Sequence, residues 1–137
     1  MMSFFADTGY LVALVNPRDE LHRRAQELSA LVDSARLVTT EMVLTEVLNH
    51  FSKSGERLRR AAVALIVELR DDSETSIVPQ SSFQFQEALT LYGTRSDKDW
   101  SHTDCASFQA MKREGITDAL THDRHFEQAG FRALLRD

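Results

Sequence analysis

The sequence predicts an α/β fold, with a central parallel sheet carrying helices on both faces. Short apolar runs recur along the chain, bounded by turn or capping residues, as buried strands would be. Between them lie longer stretches whose apolar residues repeat at three- and four-residue steps, the spacing of a helix with one buried face. Strand-like and helix-like stretches alternate, which is the pattern of a sheet covered on both sides. The length of 137 residues suits a single domain, residues 1–137, with one core.

Taken in order, Ser3-Phe4-Phe5-Ala6 reads as a buried strand that delivers Asp7. Thr8 is positioned to cap a helix with Tyr10, Leu11, Leu14 and Val15 inward, and Asn16-Pro17 ends it. Asp19 is expected to cap a second helix with Leu21, Ala25, Leu28, Leu31 and Val32 inward. Arg36 to Thr39 is a second strand, and Thr40 opens a third helix with Met42, Val43, Val47, Leu48 and Phe51 inward, broken by Gly55. Glu56 to Leu69 is a fourth helix, Thr75 to Val78 a third strand, and Ser81-Ser82 caps a fifth helix reaching Tyr92. Gly93 to His102 is polar and reads as a loop. Thr103 is the expected cap of a sixth helix that stops at Gly115. Asp118 to Thr121 is a strand, Asp123 to Ala129 a turn of helix, and Phe131 to Leu134 an edge strand.

Composition narrows the function. Hydrophobic residues at 42% and charged residues at 27%, with no long polar tract, argue against disorder. No apolar run approaches the roughly 20 residues that span a bilayer. Met1-Met2-Ser3-Phe4 has neither the basic region nor the cleavage pattern of a signal peptide. The lone Cys105 cannot form an internal disulfide, which fits a reducing cytoplasm. A formal charge of −5 argues against a protein that grips nucleic acid by charge alone, although a divalent cation held by clustered carboxylates would reverse that locally.

Asp7, Glu46, Asp104 and Asp123 are the candidates for such a site. Asp7 and Asp123 each lie just past a strand, where ligands bind in open parallel sheets. Asp104 lies at the mouth of a helix, and Glu46 borders the buried face of another. Hard carboxylate oxygens suit magnesium or manganese. Any one of these acids could equally be a helix cap or a solvated residue.

The chain resembles PIN domains of the VapC type, ribonuclease toxins of many prokaryotic toxin–antitoxin pairs. The matching pieces are Phe5-Ala6-Asp7-Thr8-Gly9-Tyr10, then Thr45-Glu46-Val47-Leu48, then Asp104-Cys105-Ala106-Ser107-Phe108, and finally Gly115 through Phe126 with Thr121-His122-Asp123 inside it. The resemblance implies a three-layer α/β/α sandwich and a metal-dependent endoribonuclease, the toxin of a type II pair. It implies hydrolysis of RNA phosphodiesters by a metal-activated water, leaving 5′-phosphate and 3′-hydroxyl ends. It places the catalytic acids at Asp7, Glu46, Asp104 and Asp123. Asp7, Asp104 and Asp123 would hold Mg2+ or Mn2+, Glu46 would orient or deprotonate the water, and Thr8 or Thr121 would hydrogen-bond a ligand carboxylate. A cognate antitoxin whose segment occupies the site, and a homodimer, are also implied. Asp97, Asp99 and Asp118 are further acids near the matched ones.

Other readings of the same residues are available. Asp7-Thr8-Gly9 matches the aspartic-protease triplet, but that belongs to an all-β fold, and helical spacing follows here at once. His102, Cys105, His122 and His125 are ligand types for a small zinc-binding module. A PIN-like domain that binds RNA or protein without cutting is a third class. Lys53, Arg57, Arg59 and Arg60 are either a solvated helix face or a guide for RNA. Trp100 would either stack on a base or plug the core.

Overall fold

The computed structural model describes residues 2–136; Met1, in the N-terminal stretch read above, and Asp137, the end of the expected domain, lie outside the described residues. The elements run β1 (Ser3–Ala6), α1 (Thr8–Val15), α2 (His22–Val32), β2 (Arg36–Thr40), α3 (Glu41–His50), α4 (Glu56–Asp71), β3 (Thr75–Val78), α5 (Ser82–Thr94), α6 (His102–Glu114), β4 (Asp118–Leu120), α7 (Arg124–Gln128) and β5 (Arg132–Ala133). The five strands form one parallel sheet in the order β3-β2-β1-β4-β5.

That order decides where the helices lie. From β1 the chain steps through β2 to β3, then returns past β1 to β4 and β5. Parallel crossovers are right-handed, so reversing the direction of travel reverses the face on which the helices pack. Helices α1 to α4 therefore cover one face, and α5 to α7 the other. The contacts agree, with α1 packing on α2, α3 and α4, and α6 on α5 and α7. The result is the expected α/β/α sandwich. The reversal falls between β1 and β4, whose outgoing connections leave to opposite faces and open a crevice at their carboxyl ends.

The core lies against both faces of the sheet. Phe5 on β1 is fully buried and its ring lies 6.3 Å from that of Phe126 on α7. Phe108 on α6 meets Phe126 edge-on at 5.0 Å. These rings anchor the starts of α6 and α7 beneath the crevice. Trp100 is buried, edge-on to Phe108 at 5.0 Å, and its Nε1 donates to Gln128 Oε1 at 3.1 Å. It is a core plug tying the approach to α6 onto the end of α7. Among the described residues, no helix is long and apolar enough to cross a membrane.

Several local expectations are corrected. Leu31 and Leu48 are 73% and 43% exposed. On α2 the inward stripe runs Ala25, Leu28, Val32, which leaves Leu31 outside; on α3 the buried arc centres on Val43 and Val47, and Leu48 lies one residue's rotation beyond it. Asp19 does not cap α2; its Oδ1 accepts from Leu21 N–H and shapes the turn just before the helix. The cap of α6 is Ser101 and not Thr103, so His102 begins the helix instead of ending the loop. The last strand is Arg132–Ala133, shorter than Phe131 to Leu134. Thr40 and Ser81 do cap α3 and α5 through their hydroxyls, as expected.

Candidate active site

Asp7 is the residue at which β1 gives way to α1. Its N–H still donates to Leu120 O on β4 (3.2 Å), while its carbonyl already accepts from Leu11 N–H. It occupies the N-cap position of α1, but its carboxylate does not cap that helix. Instead, Oδ2 accepts from Thr121 Oγ1 at 2.7 Å. Thr121 is 1% exposed and its hydroxyl oxygen also accepts from Asp123 N–H at 3.0 Å. One hydroxyl thus ties the ends of β1 and β4 together through side chains. Thr8, expected to cap α1, donates to Glu46 Oε1 on α3 at 2.6 Å. Thr8 does not cap α1 because it is already the first residue of the helix, with Asp7 in the cap position.

Asp104 enters from α6. Ser101 Oγ accepts from Asp104 N–H (2.9 Å), and Asp104 Oδ2 accepts from Ser101 N–H (3.1 Å), a reciprocal capping box. The Ser101-His102-Thr103-Asp104 spacing was the sequence signal for it. Asp104 Oδ2 also lies 3.1 Å from His125 Nδ1. Asp123 caps α7 through Oδ1, which accepts from His125 N–H at 2.8 Å.

Asp7, Thr8, Glu46, Asp104, Thr121 and Asp123 all line one cavity of about 510 Å3 at the β1–β4 crevice, together with Asp99, His122 and His125. Of the other acids, Asp97 is turned away onto Arg95 (3.0 Å) and Asp118 faces Arg132 (3.4 Å).

The carboxylates perturb one another. Burial is the main cause that pushes Asp7 from its ordinary 3.8 up to about 7. Hydrogen bonds from Thr121 and Thr8 work against that, and the charges of Asp104 and Asp123 add to it. Asp104 is also raised, first by burial and further by Asp123, against the opposing hydrogen bonds from Ser101 and His125. Buried acids whose affinity for protons is raised by one another are groups that a cation would relieve. Asp104, Asp123 and His125 each offer an atom within 4.8 Å of the others, two carboxylate oxygens and a ring nitrogen, while Asp7 and Glu46 line the same cavity outside that cluster. These residues fit a small divalent ion.

A family profile for the PIN domain matches residues 4–132. The chain belongs to the PIN-domain family. Among curated proteins, this PIN domain is 28% identical over 130 residues to the 23S rRNA-specific endonuclease VapC20 of Mycobacterium tuberculosis, in strains CDC 1551 and H37Rv, covering 93% of this chain and 94% of the relative. Among solved structures it is similar to the crystal structure of M. tuberculosis VapC20, described as a Sarcin-Ricin loop cleaving toxin. The TM-score there is 0.80, with 27% identity and coverage of 94% of this chain and 96% of that one. VapBC2 from Rickettsia felis, bound to a DNA fragment from its promoter, shares the fold at a TM-score of 0.65, with 17% identity and 94% coverage of each chain.

The zinc module is not assembled in this PIN domain. Cys105 is fully buried, and burial, then Asp104, push its thiol up to about 11, away from the thiolate a zinc site needs. His102 packs edge-on against Phe85 (4.4 Å) and its Nε2 lies 3.0 Å from Phe85 O. Among the described residues, no group able to hold a metal includes Cys105, His102 or His122. His125 is the residue whose placement the sequence did not show. The sequence offers it only as one of four zinc-ligand types. The available signal was its position two residues after Asp123, where a helix start turns the side chain back toward the cap.

Proposed function

We propose that this PIN domain is a VapC-type, metal-dependent endoribonuclease and the toxin of a type II toxin–antitoxin pair. The observation that carries this reading is the arrival of Asp7, Glu46, Asp104 and Asp123, from four separate elements, in one cavity at the point where the strand order reverses. The similarity to VapC20 over most of both chains supports the choice of RNA as substrate.

Asp7, Asp104 and Asp123 would hold Mg2+ or Mn2+; the bound ion supplies Lewis-acid activation of water and neutralises charge on the phosphate. Thr121 holds one oxygen of Asp7 and, through the Asp123 amide, sets the spacing between the ends of β1 and β4. Glu46 accepts the proton of the attacking water, and Thr8 keeps its carboxylate turned into the cavity. The reaction breaks a phosphodiester so that phosphate stays on the 5′ end and a hydroxyl on the 3′ end. A cytoplasmic location, where such an RNA substrate is met, is the expected one.

A cognate antitoxin is the expected partner, with a segment that covers the cavity. A homodimer is expected as well. Phe85, Leu89 and Tyr92 on α5 are 46%, 44% and 52% exposed and recur at helical spacing, an apolar stripe suited to a second copy. Leu89→Glu should shift the mass measured by light scattering from dimer to monomer.

The deciding experiment incubates purified protein with intact ribosomes and with total RNA, with Mg2+ or Mn2+ and with chelator, and maps the ends formed. Metal-dependent cuts absent from the Asp7→Asn protein are expected, with 23S rRNA, the substrate named for the relatives, as the first place to look. Cleavage that persists in chelator or in Asp7→Asn would remove the metal mechanism, and no cleavage of any RNA would leave a binding domain.

A further inference from the structure

The acids Asp104 and Asp123 belong to different helices, and what lies between them is the ring of His125. Its Nδ1 is 3.1 Å from Asp104 Oδ2 and 3.3 Å from Asp123 Oδ1. An ionised carboxylate oxygen only accepts, so in the bond to Asp104 the hydrogen is carried by the ring at Nδ1, with Asp123 Oδ1 beside it. We infer that His125 is a positioning residue, a clamp that fixes the spacing of the two later acids for one divalent ion. This rests on the metal-dependent reading above.

The hydrogen bonds at both acids have a common pattern. On Asp104, Oδ2 takes the ring of His125 and the amide of Ser101. On Asp123, Oδ1 accepts from the backbone amide of His125 and has the ring Nδ1 beside it at 3.3 Å as a charge contact. Among the described residues, these hydrogen bonds engage a single oxygen of each acid. The second oxygens, Asp104 Oδ1 and Asp123 Oδ2, are left for a cation. A donor outside the ion's own ligands that turns one oxygen inward and leaves the other for metal is the usual way a protein orients a ligand carboxylate. The ring itself is held because Phe126, the next residue, is fully buried against Phe108 on α6. Helices α6 and α7 are thus joined by an apolar contact below and by the His125 clamp above. Without the ring, two carboxylates of like charge face each other across the gap and separate.

The test measures Mn2+ binding to the whole protein by calorimetry and by electron paramagnetic resonance, with the melting temperature in chelator as a control. His125→Ala should weaken Mn2+ binding about 10- to 100-fold, with little change in the melting temperature. His125→Asn, whose amide N–H can reach the same oxygens, should restore most of the affinity. The spectrum of Mn2+ on the wild-type protein should show no histidine nitrogen coupling, checked with 15N-labelled histidine. Unchanged affinity in His125→Ala overturns the inference. So does an equal loss in both variants accompanied by a fall in melting temperature, which would make the role one of packing. Histidine nitrogen coupling overturns it differently, by making the ring a ligand. A wild-type protein that binds neither Mn2+ nor Mg2+ would remove the metal reading itself, and the clamp with it.

Discussion

The cavity at the ends of β1 and β4 and the groove where the chain turns from α3 into α4 differ in what lines them and in how the lining is brought together. The groove is the larger, about 680 Å3 against about 510 Å3. It is lined by Ser52, Lys53, Gly55, Glu56, Arg59, Arg60, Val63 and Ala64, one continuous stretch of chain whose members are neighbours because a helix makes them so. Its polar contacts are local and exposed, such as Arg60 to Glu56 at 2.7 Å and Arg59 to the carbonyl of Ser52 at 2.8 Å. The acid cavity draws on the end of β1, α3, α6 and the residues after β4, and its Asp7 and Glu46 are each held by a hydroxyl far away in sequence. Size does not mark the chemistry here. Convergence of distant titratable groups, with proton affinities raised by burial and by one another, does.

If the acid cavity is the reactive one, its carboxylates cannot be removed without loss of cleavage. Asp7→Asn and Asp104→Asn should each lower RNA cleavage by about 1,000-fold or more, the scale of removing a metal ligand, read as initial rates at saturating Mn2+. Glu46→Gln should cost on the order of 100-fold in the same assay, as expected for a lost general base, with metal affinity changed far less.

In the metal-free protein the acid cavity should also weaken the fold. Asp7 keeps a proton in the folded chain up to about pH 7, whereas the unfolded chain releases it near 3.8. Between those values the folded state binds more protons, so stability falls as pH rises and stays reduced above about 7. In chelator at pH 8, Asp7→Asn should therefore be more stable than wild type by on the order of 2–4 kcal/mol, and its denaturant midpoint should lose the decline across that window. Asp104→Asn should gain less, because Asp104 also accepts from the Ser101 amide in the capping box. A midpoint that rises with pH from 4 to 7 in the wild type would contradict the burial of Asp7.

Thr121→Val should weaken metal binding about 10-fold, because Asp7 loses the donor that fixes its orientation. The smallest effect belongs to the groove. Arg60→Ala removes an exposed pair worth a few tenths of a kcal/mol and should leave the rate on a short RNA within about 2-fold of wild type. A large loss there would assign the groove a part in handling substrate.

Much of this was legible in the sequence because it depends on near neighbours. Alternating apolar runs and helical stripes follow from the local chain, as does Thr40 capping α3. Placing Asp7 and Asp123 on the sheet's rim required only that a strand precede each. Local rules also misled where a partner lay elsewhere. Thr8 has the residue type of a cap, but the strand ends one residue earlier, so Asp7 holds the cap position and the Thr8 hydroxyl serves Glu46 on another helix. Thr103 stands next to Asp104 and has the residue type of a cap, but the reciprocal bonds with Asp104 require the residue three positions earlier, Ser101.

By itself, the sequence determined the order of strands and helices and put an acid at the end of β1 and another after β4. Side-chain periodicity and chain stiffness act over a few residues, so these features do not wait on the rest of the fold. Only the tertiary structure decided that Leu31 and Leu48 face water, that Trp100 plugs the core, and that His125 spans Asp104 and Asp123 while Cys105 is sealed away from them. Those outcomes depend on the reversal of strand order between β1 and β4, which brings α3, α6 and α7 to one crevice. The order of strands across the sheet is set by the packing of the whole chain, and no short stretch carries it.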